Sequence, residues 1–210
     1  MAFFALLQAK YPMTPFYSMG LLISTSVMHS FVLIDDRIES IRKIGSFKRV
    51  AYKDSLTNLR NSTAYSETKL ALNKKLKDGS LVNFGIVVLD LNNLKLINDT
   101  QGHEAGDKYI QDASSLICRV FAHSPVFRIG GDEFVVLLMN NDFTNRDSLA
   151  QDFNRQVEDN LIGGGPVVAL GMSVFRPGND YGFDEVFERA DELMYKRKKE
   201  LKQRKAEQEN

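Results

Sequence analysis

The chain has 210 residues, 43% of them hydrophobic and 26% charged, so it has material for a core and is too apolar for a disordered tail. Its 27 basic and 27 acidic side chains cancel, which leaves no broad basic surface for a nucleic acid polymer. One cysteine, Cys118, excludes an internal disulfide and a cysteine zinc site, and the length suits one domain plus an extension.

Residues 1–34 carry a single charge, Lys10, and nothing from Pro12 to Ile34 is charged. That is enough to cross a bilayer, which takes roughly 20 residues. Ser18, Ser24, Thr25, Ser26, His29 and Ser30 dilute the stretch. Arg37, Arg42, Lys43, Lys48 and Arg49 follow as a positive flank of the kind that stays cytoplasmic. The segment lacks the early positive charge of a signal peptide. A membrane helix is the first reading, and a soluble hydrophobic helix or dimer contact is the second. In residues 35–53, Ile38, Ile41, Ile44 and Phe47 recur at three-residue steps between charges, which predicts an amphipathic connecting helix. Gly45 weakens it by about 1 kcal/mol relative to alanine. A short parallel coiled coil with a second copy and packing on its own domain are both open.

From Asp54 the pattern changes. In D-S-L-T-N-L-R-N, Asp54 and Thr57 are turn and cap formers. A helix is predicted over 63–77, with Tyr65, Leu72 and Leu76 on one face and Asp78-Gly79 as its stop. Residues 83–91 are too continuously apolar for a strand with a wet face, so they belong in the middle of a covered sheet. Asp90 ends that run, and an acid there is costly unless a metal or hydrogen-bond donors satisfy it. A helix over 104–122 follows, striped by Ile110, Ala113, Ile117 and Phe121. Val126–Leu138 then reads as strand, turn, strand. Beyond it come a helix near 145–161, a strand Val167–Phe175 and a helix 183–199. The basic tail frays beyond about Lys205. The order β-α-β-β-α-β predicts an α/β sandwich on a largely antiparallel sheet.

The hairpin turn is unusual. Gly130 and Gly131 supply backbone freedom, but Asp132 and Glu133 follow with no cation inside the turn. A polar surface turn is the plain reading. Bare glycines that admit a ligand, beside two carboxylates able to hold a divalent metal, are the functional one.

The segment F-G-I-V-V-L-D-L-N-N-L-K-L-I-N-D-T-Q-G-H-E-A-G-D at 84–107, taken with R-I-G-G-D-E-F at 128–134, resembles the GGDEF family of diguanylate cyclases. The opening D-S-L-T-N-L-R-N and the late Ala190, Asp191, Met194, Tyr195 and Lys198 fit the same family. The resemblance implies an α+β, palm-like domain over 54–205. Its central, largely antiparallel sheet would have five strands flanked by helices, with 206–210 as a frayed tail. It also implies a reaction: two GTP are joined into cyclic di-GMP and two pyrophosphates are released, in a homodimer whose protomers each bring half a site.

By that resemblance Asp90, Asp132 and Glu133 are the catalytic acids. The same three, with the carbonyl of Leu91, hold two magnesium ions per half-site, manganese being an alternative. Asn98 and Asp107 read guanine, whose adjacent N1–H and N2–H donors one carboxylate accepts together. Lys95, the backbone of Asn93 and Leu94, Gly130, Gly131, Lys198 and Lys202 complete the substrate-binding set. The catalytic domain would be cytoplasmic, anchored to the inner membrane by residues 12–34.

Several positions depart from the family pattern, among them Leu201 and Gln203 in place of a glycine and an asparagine. Asn92 replaces a frequent second acid and Ser62 replaces an arginine. Lys202 replaces an arginine and so loses a bidentate fork. Phe121-Ala122-His123-Ser124 stands where an R-x-x-D product-inhibition site would be. No inhibition through that site is expected. A non-catalytic GTP- or partner-binding module, and an enzyme with another nucleotide preference, are the alternative readings.

Overall fold

A computed structural model describes residues 14–80 and 83–208. Residues 1–13 of the hydrophobic segment and the last two of the tail lie outside them. So do the side chains of the Ile41–Ile44–Phe47 stripe. The chain divides into two compact units, Met1–Ala51 and Tyr52–Asn210.

In the first unit one unbroken helix, α1 (Thr14–Ala51), runs through both the apolar stretch and the connecting stretch. Met19–Glu39 has a mean hydropathy of 1.2 and is long and apolar enough to cross a membrane. Its large hydrophobic side chains are exposed, among them Leu22, Met28 and Phe31. Its hydroxyls turn inward on the helix's own carbonyls: Thr25 Oγ1 donates to Leu22 O at 3.0 Å and Ser30 Oγ to Ser26 O at 2.9 Å. This back-bonding hides polar atoms that the sequence alone leaves bare.

The second unit opens with a tight turn over 52–61. Asn58 takes a left-handed backbone (φ 57), which asparagine tolerates better than most residues. Asn61 then caps α2 (Ser62–Lys77) by accepting from Ala64 N at 3.1 Å. The sheet consists of β1 (Gly85–Leu91), β2 (Val126–Arg128), β3 (Glu133–Leu138) and β4 (Val168–Val174). Its order is β2-β3-β1-β4 and every pairing is antiparallel. The expected fifth strand is absent among the described residues. Arg60 makes an isolated bridge to Phe127 beside β2, and α2 begins two residues later.

All seven residues of β1 are buried, so both faces of the sheet are covered at its centre. Two further helices flank the core: α4 (His103–Val120) and α6 (Arg146–Gly163). Two short ones appear that periodicity does not announce, α3 (Leu94–Gln101) and α5 (Asn140–Thr144). The last helix, α7 (Phe183–Gln208), lies across β4 and β1. It comes extremely close at Gly171, where a Cβ would stand 2.0 Å from Ala190 O and 2.2 Å from Met194 N. Only glycine lets helix and strand backbones meet there.

Candidate functional site

The site forms where β1, the β2–β3 turn and α7 converge. Leu91 N donates to Asp132 O at 2.9 Å, and the ladder sets Asp90 directly opposite Glu133. Directly opposed residues project to the same face of a sheet, so register alone brings these two acids together. Glu133 is the first residue of β3 rather than part of the turn. Its carbonyl closes the turn by accepting from Ile129 N and Gly130 N at 3.0 and 3.4 Å. Its carboxylate folds back over Gly130, where a Cβ would lie 2.8 Å from Oε2. Gly131 faces open space.

Arg128 fixes this turn. Its Nη2 and Nε donate to Gly131 O at 2.7 and 3.3 Å, and its Nη1 donates to Asp54 Oδ1 at 2.9 Å. Asp54 also accepts from Thr57 N at 2.9 Å and Thr57 Oγ1 at 2.7 Å. Partial burial pushes the Asp54 carboxyl up. The Thr57 and Arg128 bonds outweigh it and hold the group below the usual carboxylate range. The opening motif and the signature turn are thus one unit, joined by a residue to which the sequence reading gave no role. A lone arginine just ahead of a glycine-rich acidic turn was the signal available.

Asp90 is buried, and Lys198 reaches it from α7 with Nζ 2.6 Å from Oδ1. The contact is a close ion pair, and it is the charge of Lys198 that faces this buried oxygen. Burial raises the Asp90 carboxyl above its ordinary range, Asp132 adds to the rise, and Lys198 and Lys202 oppose it. The Glu133 carboxyl is raised too, by partial burial first and then by Asp132, Asp90 and Asp191. Asp191 on α7 is a fourth acid of this edge, which the sequence reading noted only as a motif match. Beside Asp90, the Asn92 amide is buried with neither its nitrogen nor its oxygen hydrogen-bonded.

The remaining predicted residues occupy α3, the start of α4, and α7. Asn93 takes a left-handed backbone (φ 65) and starts α3 with no side-chain cap, followed by half-buried Leu94 and exposed Lys95. The side chain of Asn98 lies against Gly106, where a Cβ would meet its Oδ1 at 1.8 Å. Asp107, the next residue of α4, is exposed. Lys202 is exposed on α7, one turn beyond Lys198.

Among the described residues no three acid, histidine or cysteine side chains close on one point as a ready-made metal cage. The donor set still fits a hard divalent cation. Asp90 presents a buried carboxylate oxygen, and Asp90 and Glu133 are raised first by burial and then by neighbouring acids, a charge that a cation relieves.

The Phe121–Ser124 stretch is built differently from a charged surface site. Phe121 is 1% exposed with its ring 5.9 Å from that of Phe153, and His123 N donates to buried Asp142 at 3.0 Å.

Comparison with known proteins agrees with this architecture. The family model described as "Diguanylate cyclase, GGDEF domain" matches residues 51–204. Diguanylate cyclase DgcP of Escherichia coli is 32% identical over 158 residues, covering 71% of this chain and 45% of that protein. The uncharacterized protein YhcK of Bacillus subtilis is 28% identical over 178 residues, 81% of this chain and 49% of that one. The chain therefore spans about half the length of these curated relatives. Among solved structures, the coiled coil and GGDEF domain of DgcB from Caulobacter crescentus, in complex with c-di-GMP, superposes with a TM-score of 0.67 at 26% identity. That match covers 81% of this chain and 93% of the other. A family match running from residue 51 to residue 204 decides the assignment: the chain belongs to the GGDEF family of diguanylate cyclase domains.

Proposed function

We propose that this chain is an active diguanylate cyclase. It condenses two GTP molecules into cyclic di-GMP with release of two pyrophosphates, and works as a homodimer whose protomers each hold one GTP. The observation that carries the reading is the register of Asp90 against Glu133 at a turn pinned by Arg128. Each step is attack of a ribose 3′-hydroxyl on an α-phosphorus. It needs neutralised phosphates and two oxygens held in line.

Asp90, the Leu91 carbonyl, Asp132 and Glu133 are the oxygens that would hold two magnesium or manganese ions, which when bound neutralise phosphate charge. Glu133, with its raised carboxyl, is suited to accept the hydroxyl proton. Asp107 accepts the paired guanine donors, and Asn98 is held beside it by the Gly106 contact. Lys95, Lys198 and Lys202 take the phosphates together with the uncapped N–H groups of Asn93 and Leu94. Gly130 and Gly131 let the nucleotide approach the backbone. Proximity of two loaded protomers then sets the rate.

The catalytic domain is residues 54–205, residues 35–53 are its connecting helix, and 206–210 are a tail. Residues 12–34 anchor the chain to the inner membrane with the catalytic domain on the cytoplasmic side. The inward-bonded hydroxyls of Thr25 and Ser30 support this reading, because backbone and side-chain polar groups must be satisfied internally in lipid. Feedback through the R-x-x-D position is absent, since a core phenylalanine stands there.

The test is product analysis with GTP and magnesium at high protein concentration, beside Glu133→Ala. Cyclic di-GMP from the wild type alone supports the enzyme. GTP binding without product, even in a forced dimer, supports instead a non-catalytic module. The departures at Asn92, Ser62 and Lys202 motivate that second reading.

A further inference from the structure

The pairing of Lys198 with Asp90 bears on how the site is loaded. Asp90 has a side chain only 8% exposed, so its charge is poorly hydrated and a nearby cation favours it. That cation is the Lys198 ammonium, 24% exposed and 2.6 Å away. The root of Lys198 is fixed, because α7 is pressed onto β4 at Gly171 through Ala190 and Met194, one turn before the lysine. Its head is not fixed, since four methylenes separate the charge from the helix. The contact is one ammonium on one carboxylate oxygen, a position that a cation of another kind can also take.

We propose that the Lys198 ammonium and a divalent cation are alternative counter-ions of Asp90, so that Lys198 must leave before a metal ion settles there. The inference rests on reading Asp90 as a metal ligand. A dication entering while Lys198 stays would sit within a few ångströms of another positive charge. The phosphates of an arriving nucleotide give the ammonium a second anion and remove that conflict. Metal and nucleotide therefore bind with positive coupling, and by linkage each strengthens the other equally. Metal alone binds poorly because Lys198 already occupies its counter-charge. The lysine keeps the folded acid edge stable between turnovers and makes metal capture conditional on substrate.

The test is binding of Mn2+ alone to the full chain, followed by the electron paramagnetic resonance signal of the free ion. A charge within ~4–6 Å shifts the affinity of a carboxylate for a proton by tenfold or more, and a comparable effect is expected on Mn2+. Lys198→Met should bind Mn2+ about tenfold more tightly than wild type. Lys198→Arg should stay near wild type, and Lys198→Met with Asp90→Asn should lose the gain. Melting temperature gives a second readout, with Mn2+ raising that of Lys198→Met more than that of wild type. Equal or weaker Mn2+ binding in Lys198→Met overturns the proposal, and so does a gain that survives Asp90→Asn. None of these measurements needs product formation, so an inactive wild type would defeat the cyclase reading and leave this comparison standing.

Discussion

Replacing Arg128 by methionine probes the joint between the opening motif and the signature turn. The change removes two bonds to Gly131 O and one to Asp54, and it leaves the Asp54 charge with Thr57 alone. The side chains are 12% and 21% exposed, so the pair lies between a surface bridge worth roughly 0–1 kcal/mol and a buried one whose breakage costs about 3–5 kcal/mol. With hydrogen bonds to charged groups at ~1.5–3 kcal/mol each and not additive, the expected loss is about 2–3 kcal/mol. In a unit of this size that lowers the melting temperature by roughly 5–10 °C. The pH dependence has a definite sign. The folded-state carboxyl of Asp54 lies below its ordinary value of 3.8, so its contribution is present in full above that value and is lost as pH falls through the folded value. The gap between wild type and Arg128→Met should therefore be constant from neutral pH down to about 5 and narrow in stronger acid, leaving the share of the Gly131 bonds, which do not titrate. Urea denaturation followed by far-ultraviolet circular dichroism measures it, with Arg128→Lys recovering part of the loss because lysine cannot fork. A deficit under about 0.5 kcal/mol at pH 7, or one that persists undiminished in acid, would refute the reasoning.

Three further outcomes are expected. Gly171→Ala places a methyl 2.0 Å from Ala190 O, a backbone atom that cannot rotate away, and should cost about 3 kcal/mol or more in urea denaturation. Gly106→Ala meets only the mobile end of Asn98 at 1.8 Å, so the fold should keep its melting temperature while the KM for GTP rises several-fold. Micromolar cyclic di-GMP should leave initial rates unchanged, and strong inhibition would show that a charge pair at the Phe121–Ser124 stretch is dispensable for feedback.

The central strand was plain in the sequence because its residues from Phe84 to Leu89 form an apolar run with no wet face, and the long helices were plain because their stripes repeat. Helix α3 was not. It is eight residues long, amid Asn-Asp-Thr-Gln-Gly that reads as turn chemistry, and it starts from a left-handed asparagine that no periodicity reveals. The chemistry-bearing residues near Asp90 and Asp132 were legible from motif spacing. Their counter-charges were not: Lys198 is 108 positions from Asp90 and Arg128 is 74 from Asp54, separations that only the folded topology closes.

Phe121 has a consequence for anyone wishing to throttle this chain. Its ring joins the end of α4 to α6 through Phe153, so the position is committed to holding two helices together. Writing an arginine there would delete a core ring, at a cost of about 3–5 kcal/mol by analogy with truncation, and would bury a guanidinium in the same stroke. A brake cannot be fitted by exchanging two letters. Under the proposed cyclase function, a synthetic circuit would set the output of this protein through dosage and encounter frequency more readily than through a brake written at this position.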